Sequence, residues 1–169
     1  WEHISKVPRV KRLPVTAPEF DWLTFEETQL FLAAIKAHYP QWHCLFYLAL
    51  RTGLRRGEIF ALRWRDVDLV AGTIRVRHSV FRGKLVSPKS NRGRTVPMSS
   101  KLIEIVKAHR AATLLRSEFL FPGADGGLTT HQDHVDRPLH GALKRAGLRR
   151  ITFHCCRHSF ASQIVSAGR

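Results

Sequence analysis

Apolar residues recur along most of this chain with the spacing of amphipathic helices, and one central region alternates with the spacing of strands. Apolar positions three and four residues apart predict six helices, several of them preceded by a Ser or Thr cap. Alternation in steps of two predicts three short antiparallel strands in the middle of the chain. The predicted helices span 25–38, 41–51, 54–64, 99–115, 130–146 and 153–166, and the predicted strands span 73–81, 85–89 and 94–98.

These elements predict a mixed α+β fold that is mainly α-helical, with a helical core and a small three-stranded antiparallel sheet on one side. Thr24 and Glu27 have the capping-box spacing at the start of the first helix. Pro138 inside the predicted helix 130–146 predicts a kink. Residues 1–20 are basic and rich in proline, which indicates a linker or arm, so one domain is expected over 21–169.

The charge of the chain narrows the class of partner. Its 28 Lys and Arg residues against 13 Asp and Glu residues give a net charge of +15. Such an excess favours a polyanion, most simply nucleic acid, over an anionic membrane surface. The ranges 69–103 and 137–169 contain no acidic residue, which suggests two contributions to one positive surface. Basic loops that merely coat the molecule, or an RNA-binding protein, are the alternatives. No apolar run is long enough to span a bilayer.

A glycine turn followed by an arginine is the first candidate site. Gly53 ends an apolar helix, and Arg55 begins the next one, where a cation is electrostatically unfavourable unless an anion lies beside it. Glu58 is three residues further along the helix, so it can pair with Arg55 and fix its orientation. A guanidinium held in this way suits a phosphate. A solvated arginine pair formed by Arg55 and Arg56 is the alternative.

The last predicted helix carries a second cluster of polar side chains. His154 and Arg157 are three residues apart and therefore share a face, a pairing that suits phosphoryl chemistry. A zinc site that uses these residues with Cys155, Cys156 and His158 is disfavoured, because adjacent cysteines face apart on a helix and no second pair follows. The chain has three cysteines, a poor disulfide framework that fits a reducing interior.

Three motifs in order carry a resemblance to a known family. They are TGLRRGE at 52–58, PKSNRGRTVP at 88–97 and HCCRHSFAS at 154–162. Their order and spacing resemble the catalytic domain of the tyrosine recombinase (phage integrase) family over about residues 23–168. That resemblance implies the family's fold and its activity, site-specific DNA recombination or integration by strand cleavage and rejoining.

The resemblance also implies roles for individual residues. Arg55 and Arg157 would hold the non-bridging oxygens of a scissile DNA phosphate, and Glu58 would support the first arginine. Lys89 would protonate the leaving 5′ oxygen, and His154 would act as acid, base or hydrogen-bond donor. In the family a tyrosine attacks and forms a 3′-phosphotyrosine intermediate, so no metal or other cofactor is needed. Further candidate DNA contacts are Arg56, Arg82, Lys84, Arg92 and Arg94.

The chain departs from the family pattern at its nucleophile. The family's tyrosine lies on a helix after the motif that contains His154 and Arg157. The only tyrosines here are Tyr39 and Tyr47, both upstream of Arg55. We therefore expect a catalytic core that lacks its nucleophile segment and a preceding DNA-clamping domain, and that binds DNA weakly without cleaving it. The expected partners are double-stranded DNA and further copies of the parent protein, as a tetramer. The expected location is the cytoplasm, for a protein encoded by a bacterium or a phage. A non-catalytic DNA-binding module is the alternative.

Overall fold

The computed structural model of the chain describes residues 21–87, 93–113, 117–129 and 132–168. The predicted linker 1–20, Lys89, Arg92 and the first two residues of the predicted helix 130–146 lie outside these ranges. Within them the chain forms six α-helices and five short strands. The helices are α1 Phe25–His38, α2 His43–Thr52, α3 Arg56–Phe60, α4 Ser100–Ala112, α5 Asp136–Arg145 and α6 Phe153–Ala167, and the strands are β1 Val67–Asp68, β2 Thr73–Val76, β3 Ser79–Phe81, β4 Lys84–Val86 and β5 Arg94–Pro97.

Helix α2 lies at the centre of the molecule because nearly every side of it is apolar. Seven of its residues, from Cys44 to Thr52, are buried, and the helix packs against α1, α4 and α6. The ring of Phe46 meets the ring of Phe31 on α1 edge to face, with 5.3 Å between the centroids, and the ring of Phe153 on α6 at 5.8 Å. The C-terminus of α2 is thereby held beside α6.

Helix α6 is also tied to the segment that leads into α1. The Ser159 hydroxyl accepts a hydrogen bond from the buried N–H of Leu23 at 2.8 Å. The Gln163 amide donates to the Thr28 hydroxyl at 2.8 Å and accepts from Arg51 on α2 at 3.1 Å. These bonds join α1, α2 and α6 through polar side chains in a largely buried place, which fixes the orientation of α6.

The predicted fold class is confirmed, since the molecule is mainly helical with a small three-stranded antiparallel sheet. The membership of that sheet was predicted wrongly. Its order is β1-β2-β5, and the predicted strand 73–81 is two strands that are separated at Arg77 and His78. Strands β3 and β4 form a separate hairpin that packs on α3, and β1 was not predicted. Alternation identifies strands, but it does not identify their partners.

Two helix predictions were also wrong. The predicted helix 54–64 is helical only over Arg56–Phe60, because the chain then becomes extended and the Leu62 carbonyl accepts from the N–H of Leu120 at 2.9 Å. The helix predicted over 130–146 is α-helical only from Asp136, so Pro138 lies in the first turn of α5, where a proline removes no helical hydrogen bond and requires no kink. A short 3₁₀ turn, Gln132–Val135, precedes α5.

Local signals were predicted well. The capping box of Thr24 and Glu27 starts α1, and Ser99 caps α4. Gly147 follows α5 with a positive φ of 67°, a conformation that suits glycine. Among the described residues, no helix has both the length and the apolar character needed to cross a lipid bilayer.

Comparison of Gly53 with Gly147 separates two effects of adding a side chain at a left-handed position, which are backbone strain and a clash with neighbouring atoms. Both have positive φ, 61° and 67°, so Ala at either site should cost about 1–2 kcal/mol of unfolding free energy. A Cβ at Gly53 would lie 2.4 Å from the Phe160 ring, whereas nothing lies within 4 Å of a Cβ at Gly147. Gly53→Ala should therefore cost about 1–3 kcal/mol more than Gly147→Ala. Urea denaturation of the two variants measures the difference, and equal costs would contradict this packing.

Candidate functional site

The turn between α2 and α3 presents Arg55. Gly53 leaves α2 in the left-handed conformation, and Arg55 is then extended at the N-cap of α3. The carboxylate of Glu58 accepts a hydrogen bond from the backbone N–H of Arg55 at 2.9 Å and another from its Nη1 at 3.1 Å. The predicted pairing of Arg55 with Glu58 is therefore confirmed, and it fixes both the backbone and the side chain of the arginine.

Glu58 has a second cationic partner, which the sequence pattern does not predict. Arg94, on β5, donates from Nη1 to Oε1 of Glu58 at 2.9 Å and from Nη2 to Oε2 at 2.7 Å. The Glu58 side chain is 1% exposed. Burial acts to raise the pKa of Glu58, but the hydrogen bonds from Arg94 and from the Arg55 backbone outweigh it, so the pKa lies below its ordinary value of 4.5. Glu58 is therefore a fully ionised buried carboxylate at neutral pH.

Arg157 reaches the same turn from α6. Its Nη1 donates to the carbonyl oxygen of Gly53 at 2.5 Å, so the helix and the turn are joined at the point where Arg55 begins. Burial and the neighbouring Arg55 guanidinium lower the pKa of Arg157. Two arginines from distant parts of the chain thus lie close enough to repel each other, an arrangement that an anion between them would relieve.

His154 lies one turn before Arg157 and faces the same place. Burial lowers the pKa of His154, and electrostatic interactions with His158, Arg157 and Arg55 lower it further. Its ring meets the ring of His158 edge to face, with 4.8 Å between centroids. The imidazole is therefore neutral at pH 7, with one nitrogen that can donate a hydrogen bond and one that can accept a proton.

The remaining cationic candidates lie on and beside the β3–β4 hairpin. Arg56 is the first residue of α3, and Arg82 and Lys84 are exposed at the hairpin turn. The hairpin approaches α3 so closely that a Cβ at Gly57 would lie 2.5 Å from the carbonyl oxygen of Val80. The base of the hairpin therefore packs on α3, the helix that begins beside Arg55. Lys89 and Arg92 lie outside the described residues.

The other reactive side chains are engaged elsewhere. Burial raises the pKa of both the Cys44 and the Cys156 thiol to about 12, so neither is a thiolate at neutral pH. The Tyr39 hydroxyl accepts from Arg145 on α5 at 3.1 Å, and Tyr47 lines a groove between α1, α2 and α4. In the described ranges, no group of three or more His, Cys, Asp or Glu side chains is placed to hold a metal ion.

Comparison with known proteins gives one consistent family. The sequence profile of the phage integrase family matches residues 21–169. A tyrosine recombinase XerC-like protein of Caldanaerobacter subterraneus subsp. tengcongensis is 29% identical in a match that covers 89% of this chain and 44% of that protein. The prophage integrase IntR of Escherichia coli K12 is 29% identical in a match that covers 99% of this chain and 45% of that protein. The chain thus spans less than half the length of these relatives.

Solved structures share the fold. The Tn1549 transposon integrase, in complex with a circular intermediate DNA, superposes with a TM-score of 0.79 at 21% identity, over 92% of this chain and 56% of that one. The XerA recombinase superposes with a TM-score of 0.73 at 23% identity, over 96% of this chain and 54% of that one. At this level of identity the similarity establishes the architecture, and the roles of individual residues rest on the geometry described above.

Replacing the buried carboxylate should destabilise the chain in a pH-dependent way. Glu58→Gln leaves two arginines without their shared anion and should cost about 1–3 kcal/mol at pH 7. Because the pKa of Glu58 is lowered by folding, its stabilisation is complete above 4.5 and is lost as pH falls below that value. Urea denaturation of both proteins from pH 7 to pH 3 should show the difference shrinking with acid.

The matched control is Glu104→Gln, which removes an exposed ion pair to Lys101 on α4. Such pairs contribute little, so this variant should unfold at nearly the same urea concentration as the parent. A cost for Glu58→Gln that is equal to that of the control, or that is independent of pH, would contradict the role assigned to the buried carboxylate.

Proposed function

This chain belongs to the phage integrase family of tyrosine recombinases, and from that premise we propose that it is the catalytic region of a protein that breaks and rejoins DNA strands at specific sites. The observation that supports the proposal most directly is the convergence of two arginines. Arg157 donates to the carbonyl oxygen of Gly53, two residues before Arg55, so like charges from separate elements repel each other beside the neutral His154. A phosphate diester placed between them would relieve the repulsion and receive hydrogen bonds from both.

The proposed reaction transfers a DNA phosphoryl group from the 5′ oxygen of the next nucleotide to the oxygen of a tyrosine. A tyrosine hydroxyl attacks the scissile phosphorus, a bond forms between that oxygen and phosphorus, and the bond to the 5′ oxygen breaks. The two arginines stabilise the negative charge on the non-bridging oxygens in the transition state. The neutral His154 accepts the proton of the attacking hydroxyl or donates a hydrogen bond to a non-bridging oxygen, and Lys89 gives a proton to the departing 5′ oxygen. The 3′-phosphotyrosine conserves the bond for rejoining, so no cofactor is required.

The nucleophile in this proposal is neither Tyr39 nor Tyr47. Neither matches the family's position, and the Tyr39 hydroxyl is bonded to Arg145. We propose that the tyrosine comes from polypeptide outside this sequence and that residues 1–20 link the catalytic region to a DNA-clamping domain. Double-stranded DNA is the substrate, four copies of the parent protein act on it together, and the reaction takes place in the cytoplasm of a bacterium. Arg56, Arg82, Lys84 and Arg92 would contact the DNA backbone.

Formation of a covalent protein–DNA adduct tests the proposal. The full-length polypeptide that contains this chain is incubated with a pool of nicked duplexes of random sequence, and adducts that survive SDS are isolated and sequenced. A nick lets the broken strand diffuse away, so cleavage accumulates as adduct. Arg55→Met and Arg157→Met should each lower the rate of adduct formation about 10²–10³-fold, because each removes charge stabilisation of the transition state.

The control is Arg75→Met, which removes an exposed cation from the neighbouring strand β2 and should leave the adduct rate nearly unchanged. DNA affinity, measured by fluorescence anisotropy at several salt concentrations, should change little for the site variants, because many cations contribute to it. Salt-dependent binding without any adduct would favour a non-catalytic DNA-binding module.

A further inference from the structure

Arg94 has a geometry that distinguishes it from the other cations near the site. Both of its terminal nitrogens are bonded to the two oxygens of Glu58, at 2.9 Å and 2.7 Å. This parallel pair is the arrangement that a guanidinium makes with a carboxylate and that an ammonium cannot make. Its side chain is 35% exposed, yet its donors point inward at a buried group. These contacts argue against the DNA-contacting role expected from the sequence.

The Glu58 carboxylate is fully occupied by this arrangement. Oε1 accepts from Nη1 of Arg55 at 3.1 Å and from Nη1 of Arg94 at 2.9 Å. Oε2 accepts from the backbone N–H of Arg55 at 2.9 Å and from Nη2 of Arg94 at 2.7 Å. Four donors match the four lone-pair sites of an ionised carboxylate. Rotation of the carboxylate would break bonds to both arginines, so the position of Arg55 depends on Arg94.

The two arginines come from different parts of the fold. Arg55 lies at the start of α3, and Arg94 lies on β5, where it pairs in register with Val76 of β2. The sheet therefore supplies a fixed support for the turn that carries Arg55. Without that support, Glu58 would keep its bonds only to Arg55, which lies on the same short helix and would move with it.

We propose that Arg94 is a positioning residue, which holds Glu58 in the one orientation that presents Arg55 to the scissile phosphate and does not itself contact DNA. This inference rests on the proposed function, because it assigns a purpose to the orientation of Arg55. It predicts that loss of Arg94 slows strand cleavage while leaving DNA affinity unchanged.

Two measurements on this chain alone test the contact without any cleavage. The first is the salt dependence of binding to a duplex of random sequence, measured by fluorescence anisotropy. A cation that contacts phosphate contributes about 0.9 to the slope of log Kd against log salt, so Arg94→Met should leave the slope unchanged. A slope reduced by about one would overturn the proposal, because it would identify Arg94 as a DNA contact.

The second measurement observes the side chain of Arg55 directly. The side-chain Nε–H signal of Arg55 in nitrogen-15 NMR spectra reports how firmly its guanidinium is held. In Arg94→Met the signal should broaden or shift toward that of a free guanidinium, and the carboxyl carbon of Glu58 should titrate at higher pH. Arg94→Lys should show an intermediate spectrum, and Arg75→Met should match the parent. An unchanged Arg55 signal in a folded Arg94→Met chain would overturn the proposal.

Cleavage by the full-length polypeptide completes the test. At saturating DNA, Arg94→Met should lower the rate of adduct formation roughly 10- to 100-fold through misplacement of Arg55, and Arg94→Lys should recover part of the loss. In a Glu58→Gln background, Arg94→Met should add little, because both changes act through one carboxylate. Additive effects would overturn the proposal. Absence of any adduct in the parent would count against the proposed function, and the slope and NMR results would still decide whether Arg94 positions Arg55.

Discussion

The buried carboxylate of Glu58 is the interaction on which the site depends. An ionised group that is 1% exposed is unfavourable unless its lone pairs are satisfied, and here two arginines from different elements satisfy them. The charge therefore joins the turn before α3 to the strand β5. It also decides how Arg55 is presented, because the same carboxylate binds both the backbone and the guanidinium of that residue. A neutral residue in its place would leave Arg55 and Arg94 to repel each other.

The second requirement is that α6 meets the same turn. Arg157 donates to the Gly53 carbonyl, and a glycine there allows the left-handed turn and leaves room for the Phe160 ring. Packing of α6 on α2 brings the guanidinium of Arg157 on α6 close to that of Arg55 at the start of α3. Such a concentration of like charge destabilises an empty protein slightly and favours an anionic ligand strongly. Electrostatic preorganisation of this kind is what phosphoryl transfer requires of a site.

The successes and failures of sequence-based prediction have a common physical cause. Caps and helix ends, such as Thr24 with Glu27 or Gly147, depend on residues within one turn, so the sequence pattern predicts them directly. The helix predicted over 54–64 ended early because its backbone bonds to residues 118–120. The sheet was assigned the wrong strands because alternation specifies a buried face and not a neighbour. The pairing of Arg94 with Glu58 was not predicted, because a count of cations does not reveal where a distant carboxylate lies.

By itself, the sequence determined the helical class of the fold, the excess of positive charge, the pairing of Arg55 with Glu58 and the shared face of His154 and Arg157. All of these follow from composition or from spacing within a helix. The tertiary structure alone decided that Arg157 meets the Gly53 turn and that Arg94 holds Glu58 from 36 residues away. Contacts between distant residues depend on how whole elements pack, because burial and charge neutralisation select a partner only after the chain has folded around it.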